Sequence, residues 1–225
     1  MLRAMMEFLI THCAANGRQS FFDPAEFDWV PAIESGFPAI RAELDKVMQH
    51  RDRIPNLQDL SPDQAELTDG PDWKSLIFHA YGRAVQSNCE RCPRTAELLD
   101  RIPGMKSAMF SILAPHKHLP EHRGPYKGVL RYHLGLLVPE PAEASGIRVA
   151  GETRHWAEGC SLVFDDSHPH DAWNGSDAHR VVLFVDVLRP LPGWLSLLNR
   201  AMVWRLSTTP LVTVMISRAR AAALR

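Results

Sequence analysis

Cysteine is scarce: Cys13, Cys89, Cys92 and Cys160 are the only four in 225 residues, too few and too scattered for a disulfide scaffold. Long apolar runs are missing too, since none approaches the roughly 18 residues of a membrane helix. Arg3 and Glu7 break the apolar part of MLRAMMEFLITHC, so no cleavable signal peptide is expected. Few thiols and no leader together predict a reducing, cytoplasmic setting. Charge of one sign is also lacking. A net charge of −1 gives no global attraction to nucleic acid, and no nucleic-acid partner is expected. Internal repeats and low-complexity segments are absent.

What remains is ordinary globular material, with 45% hydrophobic and 23% charged residues in a chain long enough to bury a core as one domain. Three regions differ in pattern: 1–104, 105–190 and 191–225. In the first, Leu2, Met5, Met6, Leu9, Ile10 and Cys13 lie at helical spacing. FFDPAEFDWVPAIESGF reads as an irregular docked connection, and Pro38 opens a helix with Ile40, Leu44, Val47 and Met48 on its apolar face. Prolines and acids without periodicity make 51–72 a surface loop. WKSLIFHAYG from Trp73 reads as a first core strand, and Pro93 and Pro103 bracket a short helix.

From Met105 the pattern is strands only, at about 105–114, 128–138, 146–150, 153–156, 160–164, 170–174 and 179–188. Short strands at that spacing predict a mainly β fold with flanking helices, a double-sheet barrel or jelly roll. After Asp186 the chain has six arginines and no acid, with Trp194, Leu195, Leu198, Met202 and Trp204 between them. A basic amphipathic helix pair of this kind suits a packed appendage, an oligomer interface or a peripheral membrane contact.

Histidines are what the strand region has in unusual number. Ser111–Leu136 contains His116, His118, His122 and His133, and FDDSHPHDAWN contains His168 and His170. Strand alternation puts Val129, Arg131, His133, Gly135 and Leu137 on one face and Leu130, Tyr132, Leu134, Leu136 and Val138 on the other. The second face is bulky and suits packing, so Arg131 and His133 point into the barrel. An arginine there needs an anion, and the same holds for Arg180 at the start of RVVLFVDVL. The bland source of that anion is a nearby Asp or Glu. His122, in a turn between strands, and His170, at the mouth of another strand, stand where rings can converge from opposite sheets, and imidazole alone suits iron, zinc, copper or nickel.

HRGPYKGVLRYHLGL, GIRVAGETRHWAEGCSLVFDDSHPHDAWN and HRVVLFVDVLRP, in that order over about Met105 to Pro190, resemble the aspartyl/asparaginyl β-hydroxylase family. NCERCPRT upstream shares the look. The resemblance implies a double-stranded β-helix (cupin-like) core, Fe(II) and the cosubstrates 2-oxoglutarate and O2. It implies hydroxylation of an unactivated C–H, at the β-carbon of an aspartyl or asparaginyl residue or related amino acid. Bacterial lipid A hydroxylases in the same family make a lipid acyl chain the alternative substrate. A non-enzymatic cupin-like metal-binding or sensing barrel is a third reading. Residue by residue, His122 and His170 match the iron-binding histidines. Arg131 and His133 match the holders of the 2-oxoglutarate C1 carboxylate, and Ser111 and Arg180 the binders of its distal carboxylate. The place of a third, carboxylate ligand two residues after His122 is Gly124. Water can fill that vacancy, and a site lacking the anionic ligand could also take chloride, although hydroxylation is the expected chemistry.

Other signals carry less. His116, His118 and His122 could together hold zinc, but that leaves both inward arginines and His133 without a role. Cys89 and Cys92 have knuckle spacing with no second pair, so packing is the expected use. Asp165 and Asp166 read as turn-formers or as partners of the site, the turn being favoured. Trp173 is expected either near the iron or in the core.

Overall fold

The computed structural model describes residues 1–61, 67–68 and 70–223. Its strands are β1 (Phe21–Phe22), β2 (Trp73–Ala80), β3 (Arg83–Ala84), β4 (Met105–Leu113), β5 (Lys117–His122), β6 (Val129–Leu137), β7 (Ser145–Val149), β8 (Glu152–Arg154), β9 (Ser161–Phe164), β10 (His170–Asn174) and β11 (Arg180–Leu188). They form a larger sheet in the order β1-β9-β6-β11-β4-β2-β3 and a smaller one in the order β5-β10-β7-β8. Every strand pairing is antiparallel. Two such sheets face to face make the expected jelly roll, with helices on the outside of the larger sheet. Because β1, β2 and β3 belong to that sheet, the core draws on residues before 105 as well.

The alternation in β6 explains how the sheet is used. Leu130, Tyr132, Leu134 and Leu136 are fully buried outward, against Ile40 and Leu44 of α3 (Phe37–Met48) and Leu99 of α6 (Pro93–Asp100). Each buried leucine contributes about 1.5–3 kcal/mol, and truncation to Ala would cost about 2–5 kcal/mol. Arg131 and His133 consequently face the interior between the sheets. Phe164, Val182, Phe184, Trp156, Leu119 and Ile147 form the apolar part of that interior.

One buried acid ties two helices together. Glu43 of α3 accepts from the Arg94 and Thr95 backbone N–H groups at 2.9 Å each and from Thr95 Oγ1 at 2.7 Å. The carboxylate satisfies the free donors at the start of α6.

Three stretches depart from expectation. FFDPAEFDWVPAIESGF contains β1, a 3-10 turn at Pro24–Glu26 capped by Asp23, and α2 (Val30–Ser35). In 51–72 there is a 3-10 turn at Arg51–Arg53 and α4 (Leu57–Leu60), which buries Leu57 and Leu60. The rest of that predicted loop at 62–66 and 69 lies outside the described residues. Lys117–His122, expected as a turn, is strand β5. Only Leu119 of its six residues is buried, so no alternation betrays it, and its structure comes from pairing with β10.

The tail forms α7 (Gly193–Ser207) and α8 (Pro210–Ala223). Leu195, Met202 and Val203 of α7 pack with Met6 and Ile10 of α1 (Leu2–Cys13) and with Tyr126. No helix of the described residues is long and apolar enough to cross a membrane.

Candidate metal and anion site

His122 ends β5 and His170 begins β10, and the two are register partners on neighbouring strands of the smaller sheet, so the rings converge within one sheet and not, as expected, from opposite sheets. Their ring centroids are 4.1 Å apart. Each Nδ1 lies against a backbone carbonyl two residues earlier, His122 on Pro120 O at 2.9 Å and His170 on His168 O at 3.0 Å. A carbonyl only accepts, so each Nδ1 carries the proton and each Nε2 keeps its lone pair, the tautomer a metal ligand needs. Burial lowers the pKa of both, that of His170 to about 3. Both rings are therefore neutral at pH 7, as ligation requires. The chemistry of this pair fits a soft-to-borderline divalent metal such as Fe(II).

The interior beyond these rings is built for an anion. His133 is 7% exposed, and neither of its ring nitrogens has a hydrogen-bond partner among the described residues. Burial, followed by the charges of Arg131 and Arg180, holds it well below the usual imidazole range. Arg180 is 2% exposed, and no carboxylate among the described residues pairs with it. Its Nε lacks a partner and its guanidinium lies 4.4 Å from the centre of the Trp156 ring. Desolvation alone pulls its pKa down to about 9. Ser111, in register beside Val182 two residues along β11 from Arg180, accepts from Trp73 Nε1 at 2.9 Å and keeps its hydroxyl proton free to donate. A buried unpaired guanidinium and an unpartnered imidazole are costly unless an anion joins them. These groups fit a dicarboxylate such as 2-oxoglutarate.

Arg131 differs from Arg180. Its Nη2 is 2.8 Å from Asp166 Oδ2 and its Nε donates to Asp186 Oδ1 at 3.1 Å, and it stacks 4.2 Å from the centre of the Phe184 ring. The anion that the inward arginine demands is thus supplied by the chain itself, the blander of the two sources considered for it. Burial pushes the Asp166 carboxyl up to about 7, against the pull of Arg131.

The two adjacent aspartates split their duties. Asp165 is the turn-former: its Oδ1 accepts from Ser167 N at 3.0 Å, and its Oδ2 pairs with Lys127 at 2.8 Å and with Arg189, all buried. Asp166 points instead at Arg131 and into the space beside Gly124. A Cβ on Gly124 would meet Asp166 Oδ2 at 2.0 Å. The place left open for a third ligand or a chloride is therefore bordered by a resident carboxylate.

The remaining candidates lie elsewhere. His116 is on the surface against Asp177, and His118 is exposed against Asp171, so they do not join His122 around a zinc ion. No cluster of three or more His, Cys, Asp or Glu suited to a metal occurs among the described residues. Trp173 is a register step of odd parity from His170 and faces away from it, against Gly146 and His155. Cys92 is fully buried and its thiol pushed up to about 12, and Cys89 lies 3.6 Å from Phe78 O; both pack. Asp186, Trp156 and Phe184 were not singled out in the sequence. The parity of RVVLFVDVL, which puts Arg180, Phe184 and Asp186 on one face, was the available signal.

The family model for aspartyl/asparaginyl beta-hydroxylase matches residues 34–190, starting well before the stretch that carried the resemblance. The ornithine lipid ester-linked acyl 2-hydroxylase of Rhizobium tropici is 44% identical over 93% of this chain and 74% of its own length. The human aspartyl/asparaginyl beta-hydroxylase is 33% identical over 76% of this chain but only 23% of its own length. Among solved structures, a cupin domain of a transcriptional regulator from Enterobacter cloacae superposes with a TM-score of 0.37 at 14% identity, over 53% of this chain and 99% of that one.

Proposed function

Because the chain belongs to the aspartyl/asparaginyl β-hydroxylase family, a family of hydroxylases, we propose that it is an Fe(II)- and 2-oxoglutarate-dependent dioxygenase whose substrate is a lipid acyl chain. The observation that carries the cofactor reading is the pairing of two neutral histidines with free Nε2 atoms and a buried, unpaired Arg180. His122 and His170 would hold the iron. Arg180 and the Ser111 hydroxyl would hold the distal carboxylate of 2-oxoglutarate, and His133 with Arg131 its other end. When bound, iron with 2-oxoglutarate and O2 supplies the oxidant for an unactivated C–H.

The chain's own residues do the rest. The Pro120 and His168 carbonyls hold both imidazoles in the ligating tautomer. Phe184 stacks on the Arg131 guanidinium and Trp156 on that of Arg180, and the low-dielectric interior around them strengthens every anion contact there. Asp166 and Asp186 keep the Arg131 fork oriented.

The lipid reading is supported by the similarity to the R. tropici acyl hydroxylase, which at 93% of the chain is too long to leave out the tail after 190, where the family model stops. Peripheral contact of 191–225 with a membrane goes with it. The aspartyl or asparaginyl β-carbon is the second reading, supported by the human relative. Purified protein given Fe(II) and 2-oxoglutarate should release succinate, and His122→Ala and His170→Ala should each abolish it. No succinate would sink the oxygenase assignment. A mass-spectrometric screen for a +16 Da product over lipids, free amino acids and aspartyl peptides separates the substrates.

A further inference from the structure

Helix α7 carries apolar residues on two sides. Its inner side, Leu195, Met202 and Val203, is buried against α1 and Tyr126. Its outer side carries Trp194, Leu197, Leu198, Ala201, Trp204 and Arg205 at three- and four-residue spacing, all exposed, with Leu197 and Trp204 at 70% and Trp194 at 55%. The adjoining α1 leaves Leu2, Met5 and Phe8 exposed as well. A helix with apolar surface on both sides needs cover on both. Scattered exposed apolar residues need no explanation, but two tryptophans and two leucines along one face of a 15-residue helix form a patch.

Charge identifies the cover. Arg200 and Arg205 flank the patch on α7, and no acid follows Asp186 in a chain whose net charge is −1. Tryptophan is favoured at the bilayer interface, and arginine can lay its stem on apolar surface while its head reaches lipid phosphates.

A groove leads inward from this patch. A cavity of about 310 Å³ lies between α7 and the barrel mouth, bounded by Lys106, Leu188, Arg200, Val203 and Trp204. It adjoins a narrower one bounded by Tyr126, Val129, Leu206, Arg131 and Asp186, with Tyr81, Lys106 and Val203 common to both. Both sides of the groove carry apolar and polar groups, Val203 and Trp204 with Arg200 on the helix and Leu188 with Lys106 on the strands, and its narrow end reaches Arg131, which pairs with Asp166 in the candidate site.

We infer that the outer face of α7, with the exposed strip of α1, docks on an anionic phospholipid bilayer, and that the groove under α7 admits the substrate from that surface. The inference deepens the lipid reading and rests on it for the use of the groove, but docking itself is measurable without turnover.

The test is flotation of the full chain with vesicles of phosphatidylcholine alone and of phosphatidylcholine with 30% phosphatidylglycerol. Succinate release without lipid is followed in parallel. Wild type should float with the anionic vesicles and much less with the neutral ones. Trp194→Ser/Leu197→Ser and, separately, Arg205→Glu should each cut flotation by roughly tenfold. Both variants leave the buried side of α7 intact, and the double serine variant lies outside groove and barrel, so its lipid-free succinate release and melting temperature should match wild type. No flotation, or flotation unchanged by the variants, overturns the docking face. So does a wild-type dimer that the double variant converts to monomer without any vesicle binding, which would make the patch a self-association surface. Flotation without succinate would instead leave docking standing and sink the oxygenase reading.

Discussion

A Cβ added to Gly124 would stand 2.0 Å from Asp166 Oδ2, while the Gly124 N–H donates to Asp166 O at 2.7 Å. The glycine that interrupts the usual three-ligand pattern is therefore also the residue that lets Asp166 fit. Gly124→Asp, which on paper restores the facial carboxylate, is expected to push Asp166 out of place and separate it from Arg131. The predicted result is a loss of about 1–3 kcal/mol of stability, typical of overpacking, and weaker rather than stronger Fe(II) binding. Thermal unfolding and iron titration of the variant check both, and tighter iron binding would count against this account.

Arg180 is charged, buried and unpaired by any described carboxylate. Without ligand it is a burden on the fold. Arg180→Met should leave the ligand-free protein as stable as wild type or more so, by up to about 1–4 kcal/mol. On the proposed function 2-oxoglutarate should raise the melting temperature of wild type, and the variant should abolish that rise. A variant that is both destabilised and still stabilised by 2-oxoglutarate would contradict the role of Arg180 as the anion holder.

Asp165 holds Lys127 and Arg189 together in a fully buried cluster. Asp165→Asn leaves two buried cations facing a neutral amide, at a cost of about 3–5 kcal/mol. Urea unfolding should show a midpoint lowered accordingly. The neighbouring Asp166→Asn should act on Arg131 and the site and leave the Lys127–Arg189 cluster in place, so its urea midpoint should fall less.

Acid should weaken the metal-free protein. His133 is held far below its ordinary pKa by burial and by the charges of Arg131 and Arg180, and burial lowers His79 in the same direction. In the unfolded chain these rings take up protons near pH 6.5, whereas in the folded chain each does so only at lower pH, His133 at far lower pH. The stability present above that pH is lost as pH falls below it, by about 1.4 kcal/mol per pH unit for each proton. Melting temperatures between pH 7.5 and 5.5 should decline, and His133→Phe should flatten the decline by one proton's share. A variant with the wild-type slope would show that His133 takes no part.

Much of this site was legible in the chain itself. Period-two alternation put Arg131 and His133 on the inner face of β6 and the leucines on the outer one. A chain that must bury Leu130, Tyr132, Leu134 and Leu136 has no other way to orient them. Strand β5 was not legible, because only one of its six residues is apolar and inward, and its structure depends on pairing with β10 fifty residues later.

Local pattern by itself determined the mainly β architecture and the inward arginines, since each follows from side-chain parity within one strand. Only the tertiary structure decided what those groups meet. It gave Arg131 two carboxylates and left Arg180 with none among the described residues, split Asp165 from Asp166, and set His122 at a strand end opposite His170. It also filled the space beside Gly124 with the Asp166 carboxylate. Those outcomes depend on register between strands far apart in sequence, which no local periodicity encodes.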